Sequence, residues 1–232
     1  MKKFISFLFM FATPGLAVAT PVDNFWSLGI DKLETRTQAG GDQFNVAETS
    51  FEYGDDDKRL LIKSVYEYSV EESAVEKFDS IVGIKFPVSS FYDAVVGARI
   101  DTPDGEDQYH GYFGMQGLAE QFIHVGGGIS VSEHPSVKFG AEYEGLITNW
   151  ITLTPSFEMT VPLKDNPVRG DGAGGARTEF GVRLSYDVLD RTIAPYIGVH
   201  QERLFGETAA LARSDGKATS KFFTVIGVKL LF

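Results

Sequence analysis

Cysteine is absent from this 232-residue chain, which rules out disulfide staples and thiolate metal sites together. Soft donors are scarce as well: there are four Met and four His, and of the methionines only Met115 and Met159 lie beyond the first nineteen residues. After the N-terminus no stretch approaches the roughly eighteen unbroken apolar residues of a spanning helix. Positive charge is in deficit, with 21 Lys and Arg against 32 Asp and Glu and a formal net charge of −11. A surface of that sign argues against nucleic acid as a partner.

The first residues read as a secretory leader. Lys2 and Lys3 precede the apolar run FISFLFMFA, Phe4 to Ala12, whose roughly nine residues suit a signal-peptide core and fall short of a membrane span. Ala17-Val18-Ala19 supplies a small-x-small site, so cleavage is expected between Ala19 and Thr20. The expected organisation is a signal peptide over 1–19, a short periplasmic lead over 20–25 and a single body over 26–232. With both leader lysines gone the charge falls to about −13.

Alternation then predicts strands. Over Ile151 to Val161, Ile151, Leu153, Pro155, Phe157, Met159 and Val161 oppose Thr152, Thr154, Ser156, Glu158 and Thr160 without exception. Pro155 has no N–H to give a ladder, so a bulge is expected there. Phe180, Val182, Leu184, Tyr186 and Val188 alternate with Glu179, Arg183, Ser185 and Asp187, and Val137, Phe139, Ala141 and Tyr143 with Lys138, Glu142 and Glu144. Noisier segments fall near 26–37, 44–53, 59–70, 77–86, 91–101, 109–118, 122–131 and 192–203. The chain ends on KFFTVIGVKLLF, with Phe222, Thr224, Ile226, Val228, Leu230 and the terminal Phe232 on one face. About twelve strands of some ten residues result, the length a tilted strand needs to cross a bilayer and longer than is usual in soluble sheets.

Period two does not say which face is outward, but the connections do. Links 54–58, 87–90, 119–121, 148–149 and 189–191 are short. The alternate ones, including the Gly-rich PLKDNPVRGDGAGG (162–175) and FGETAALARSDGKATS (205–220), are longer and polar. Short turns at one rim and long loops at the other are the asymmetry of an all-β, transmembrane, antiparallel up-and-down β-barrel in a bacterial outer membrane. The apolar faces would then meet lipid, and the lumen would receive Lys63, Glu67, Lys85, Asp93, Arg99, Glu142, Glu144, Glu158, Arg177, Glu179, Arg183, Asp187, Glu202 and Lys229. Twelve strands imply a narrow or plugged lumen. An aromatic C-terminus such as Phe232 is typical of proteins that a barrel-insertion machinery recognises.

Chemistry-bearing motifs are few. Ser132 near His134 is the one local pairing that could suggest a hydrolase; with no GxSxG elbow and no HExxH, no enzyme is expected. Asp171 and the glycines over 170–175 read as a flexible loop, since no helix follows to make a phosphate cradle.

Several segments together resemble one family. GDDDKRLLIKSVYEYS (54–69), YDAVVGARID (92–101), YFGMQGLAEQF (112–122), LTPSFEMTVPLKDNPVRGDG (153–172) and APYIGVHQERLFGETA (194–209) are similar, in order and spacing, to the copper-resistance protein B (CopB) family of outer-membrane barrels. That resemblance implies an outer-membrane protein of copper tolerance, binding the metal or moving it across the membrane, with copper ions as its partner besides lipid. Many members carry a Met- and His-rich segment ahead of the barrel, and thioether and imidazole are ligands that copper selects. Here about half a dozen residues lie between the cleavage site and the first strand, none of them Met or His. The remaining metal candidates are His110, His124 and His200 on lumen faces, expected near the outer rim, near the periplasmic rim and between the two. The alternative reading is a narrow passive channel, or a structural barrel with no metal role.

Overall fold

The computed structural model describes residues 24–103, 106–188 and 192–232. The leader, the Ala19/Thr20 cleavage site, Asp104 and the link 189–191 lie outside them. Apart from β8 and β9, which both pair with β10, every strand pairs antiparallel with its neighbours in the chain: β1 (Phe25–Gln38), β2 (Gln43–Gly54), β3 (Arg59–Ser69), β4 (Ala74–Pro87), β5 (Tyr92–Pro103), β6 (Gln108–Ala119), β7 (Ile123–Val131), β8 (Ser136–Tyr143), β9 (Gly145–Leu146), β10 (Ile151–Pro162), β11 (Ala176–Tyr186), β12 (Ile193–Phe205) and β13 (Ser220–Leu231). β8 and β9 are one stave interrupted at Glu144, so the barrel has twelve staves, and β13 closes it on β1. Closure continues to the last residue: Phe232 and Leu28 exchange backbone hydrogen bonds of 2.9 and 3.0 Å. All twelve expected strands are present, and closure leaves no sheet edge exposed.

The apolar faces point outward. Trp26, Phe113, Phe180, Ile197, Phe222 and Ile226 are all exposed, Ile226 at 65%. Inside, Phe44, Val46, Leu61, Phe223 and Val225 are buried together with Glu34, Arg36, Arg99, Asp101, Arg183 and His200. Phe44 and Phe223 meet edge-to-face at 5.7 Å between centroids.

Two departures from strict alternation shape this interior. In β1 the register to both neighbours slips by one residue around Asp31. Trp26, Leu28 and Ile30 face outward before this bulge and Leu33, Thr35 and Thr37 after it, so Lys32, Glu34 and Arg36 turn into the lumen. One extra residue does this because side-chain direction has a period of two. The bulge expected at Pro155 does not form. Pro155 pairs with Val182 in unbroken register on one side, and on the other β8 and β9 keep a common register to β10 across the gap at Glu144. The missing N–H interrupts one neighbour's pairing and inserts no residue. A second slip, in β4 between its pairings to Glu67 and Tyr68, accommodates Glu76.

The rims differ less than link lengths in the sequence imply, because β1, β4 and β5 extend into the links. Two connections carry the asymmetry: residues 163–175, and the segment containing helix α1 (Gly206–Ser214). They pack on each other. Thr208 is fully buried, and its hydroxyl accepts from Gly172 N–H at 3.1 Å. A Cβ at Gly175 would lie 2.2 Å from the Thr208 Oγ1, so glycine is what permits this approach. β4 and β5 also approach closely: a Cβ on Gly97 would sit 2.1 Å from the Val82 carbonyl oxygen and 2.4 Å from the Gly83 Cα. Both obstacles are backbone, so Gly97→Ala is expected to destabilise the barrel by about 1–3 kcal/mol, read from its urea midpoint in lipid vesicles.

Candidate functional site

The lumen holds two buried clusters, each built around a histidine and an arginine. The first joins β1, β11 and β12. The Glu34 carboxylate accepts from Arg36 Nε at 2.8 Å, from Arg183 Nε and Nη2 at 2.9 and 2.8 Å, and from the Tyr196 hydroxyl at 2.9 Å. Arg36 Nη1 reaches His200 Nε2 at 3.0 Å and Glu202 Oε1 at 3.4 Å. The same imidazole nitrogen is 3.5 Å from Glu179 Oε2 and 3.4 Å from Glu202 Oε1. One donor atom from each of Glu179, His200 and Glu202 lies within 4.8 Å of the other two. His200 Nδ1 is buried without a hydrogen-bond partner, and the ring stacks obliquely 6.1 Å from Phe223.

The second cluster sits beneath the rim of the long links. Arg99 reaches Asp101 at 2.6 Å and Asp79 at 3.2 Å. Arg169, from the 163–175 link, donates to Asp79 and Asp101 at 3.1 Å each. Asp171 pairs with Arg177 at 3.0 Å. Ser132 Oγ and His110 Nδ1 share a hydrogen bond of 2.8 Å, and His110 Nε2 is 3.4 Å from Asp101 Oδ2. Between the clusters, the pairs Lys32–Glu48 at 2.6 Å and Lys138–Glu158 at 2.5 Å flank a cavity of about 440 Å³.

Of the three candidate histidines, His110 and His200 are buried in separate clusters and His124 lines the cavity toward the short-turn rim. The structure does not bring them together, as their strand positions predicted. Ser132 pairs with His110 and not with His134, whose Nδ1 faces the Asp165 carbonyl oxygen at 2.7 Å. Asp101 is a buried pairing partner near the end of β5, and the 170–175 glycines, expected to form a flexible loop, belong to a pinned link. Sequence reading missed Glu34 and Arg36, because the β1 bulge leaves no compositional mark, and Arg169, because a loop arginine carries no period. Met115 and Met159 lie on outward faces, paired with Ala94 and Gly127 and with Phe139 and Thr178.

The donors at Glu179, His200 and Glu202 are one imidazole and two carboxylates, a set that suits copper(II) and other divalent ions better than copper(I). Their spacing fits one small ion after slight contraction, but the Arg36 guanidinium occupies that position and must swing aside first.

Fold and lumen define a porin-like β-barrel with ion pairs across its interior. Similar architecture occurs in the NanC porin (TM-score 0.59, 12% identity, 88% of this chain and 98% of that one) and the KdgM porin (TM-score 0.53, 12% identity, 89% and 99%). The family model described as copper resistance protein B precursor (CopB) matches residues 24–232. The chain is 33% identical over 204 residues to a copper resistance protein B homolog of Pseudomonas syringae pv. tomato, covering 87% of this chain and 68% of that protein. It is 31% identical to copper resistance protein B of Escherichia coli, covering 88% and 68%. The chain therefore belongs to the copper resistance protein B family.

Proposed function

We propose that this protein is an outer-membrane barrel that takes up copper(II) as its cargo or ligand in the lumen, with Glu179, His200 and Glu202 as the donors. The convergence of those three side chains on one point carries the reading, and family membership supplies the metal. The exposed apolar girdle and the likeness in fold to porins support a place in the outer membrane, with lipid around the staves and the long links facing outward. Phe232, hydrogen-bonded into the closing seam, suits recognition by the barrel-insertion machinery. No catalytic step is proposed: the Asp101 carboxylate that would orient His110 beside Ser132 is committed to Arg99 and Arg169.

Arg36 sets the order of events at the site. It offsets one of the two glutamate charges when no ion is present, and a divalent ion replaces that one positive charge with two, releasing the guanidinium to its other partner, Glu34. Calorimetric titration of the refolded barrel with copper(II) chloride is expected to show one saturable heat. His200→Ala should weaken that affinity at least about tenfold. A wild-type barrel giving no copper-dependent heat overturns the proposal. The second reading, a passive narrow channel without a metal role, draws on the fact that Arg36 already bonds His200 and Glu202; it predicts a planar-bilayer conductance indifferent to copper.

A further inference from the structure

The link 163–175 enters the barrel mouth and is held there from two sides. Asn166 and Gln108 exchange side-chain amide hydrogen bonds of 2.8 and 3.0 Å, and Thr208 of α1 holds Gly172. Between the link and the staves lies a space of about 30 Å³, continuous with the cavity of about 440 Å³ through Lys77, Asp79, Arg99 and Lys138, which line both. Around the smaller space Lys164, Arg169 and Arg177 join those three basic residues, against Asp79, Asp101, Asp171 and Glu179. Basic side chains therefore exceed acidic ones by two there, although the whole chain carries a net charge of −11. In the larger cavity the two signs balance.

Every oxygen of the three aspartates already faces a guanidinium. Arg169 Nη1 and Arg99 Nη2 approach Asp79 at 3.1 and 3.2 Å, and Arg99 Nε and Arg169 Nη1 approach Asp101 at 2.6 and 3.1 Å. Arg177 Nη2 and Arg169 Nε lie 3.0 and 3.7 Å from Asp171. Glu179 is turned toward the other cluster, 3.5 Å from His200 Nε2. A cation entering this space meets engaged carboxylates and three guanidiniums that repel it. The donors, by contrast, are not used up. A guanidinium carries more N–H groups than these oxygens accept, and Lys164, exposed on the link, has no carboxylate partner among the described residues. Surplus positive charge at the narrow place of a lumen is what selects anions in pores.

We infer that the space under the 163–175 link is an anion site lined by Lys164, Arg169 and Arg177, and that it is the selective step of a passage for small inorganic anions such as chloride. A space of about 30 Å³ holds a water-sized ion and excludes an organic one. The link supplies Lys164 and Arg169, so its inward fold sets the sign of the selectivity. Nothing in the inference draws on copper, and His200 does not line this space.

The test is the reversal potential of the full chain in planar bilayers, with potassium chloride at unequal concentrations on the two sides. Chloride is expected to permeate about fivefold better than potassium, and replacing chloride by gluconate should cut the anion current about tenfold. Lys164→Glu reverses an exposed, unpaired charge and leaves the fold intact; it should lower the chloride preference about twofold or more. Arg169→Gln, which also frees oxygens of Asp79 and Asp101, should lower it further, in a barrel shown to be folded by its heat-dependent gel mobility. A wild type that carries no current, or that favours potassium or neither ion, overturns the inference. So does a Lys164→Glu barrel with the wild-type preference, because the charge would then lie off the path. His200→Ala should keep the wild-type preference whether or not it loses copper heat, so this inference and the copper proposal fail separately.

Discussion

Glu34→Ala is expected to cost about 3–5 kcal/mol of unfolding free energy, the largest effect of any single substitution in the lumen. Glu34 is 3% exposed and accepts four hydrogen bonds, from Arg36, twice from Arg183 and from Tyr196. Its loss leaves two buried guanidiniums facing each other with no carboxylate between them. The penalty lies in the orphaned charges and not in the pair itself. Replacing Glu34, Arg36 and Arg183 together by Leu or Met should therefore recover most of the stability, whereas Glu34→Gln, which keeps an acceptor but not the charge, should fall between. Urea unfolding in phospholipid vesicles, followed by the heat-dependent gel mobility of folded barrels, measures all three. Equal stability for Glu34→Ala and wild type would mean that water reaches this cluster freely.

Ile226→Lys tests the outward face. Ile226 lies in the middle of β13, 65% exposed, between Thr35 and Ile197 on the neighbouring staves. In hydrocarbon a lysine there costs about 2–4 kcal/mol. Ala218→Lys, in a long link outside any strand, should stay within about 0.5 kcal/mol. The contrast isolates the medium around the barrel from the effect of adding charge, since both substitutions add the same ammonium. An Ile226→Lys barrel as stable in vesicles as Ala218→Lys would remove hydrocarbon from that face and the membrane reading with it.

Particular residues show how far the sequence could be read. The terminal strand was legible because Ile226, Val228 and Leu230 alternate against Gly227 and Lys229, and alternation survives translation into three dimensions without adjustment. The same rule fails in β1, where one bulge residue exchanges the two faces and hides Glu34 and Arg36 from any periodic count. Pro155 shows the opposite error: the missing donor was real, yet its consequence fell on the neighbouring stave. Link lengths predicted the rim asymmetry, but only two links bear it, and nothing local to 163–175 shows that it folds inward.

Sequence alone determined the strand number, the antiparallel order, the apolar outer face and the family, because each depends on local period or on short segments in a fixed order. The tertiary structure alone decided which charges meet. Glu34 and Arg183 are 149 residues apart, and Arg169 and Asp79 are 90 apart. Barrel closure and two bulges bring such residues within hydrogen-bonding distance, and a buried charge then takes whichever opposite charge the register sets beside it.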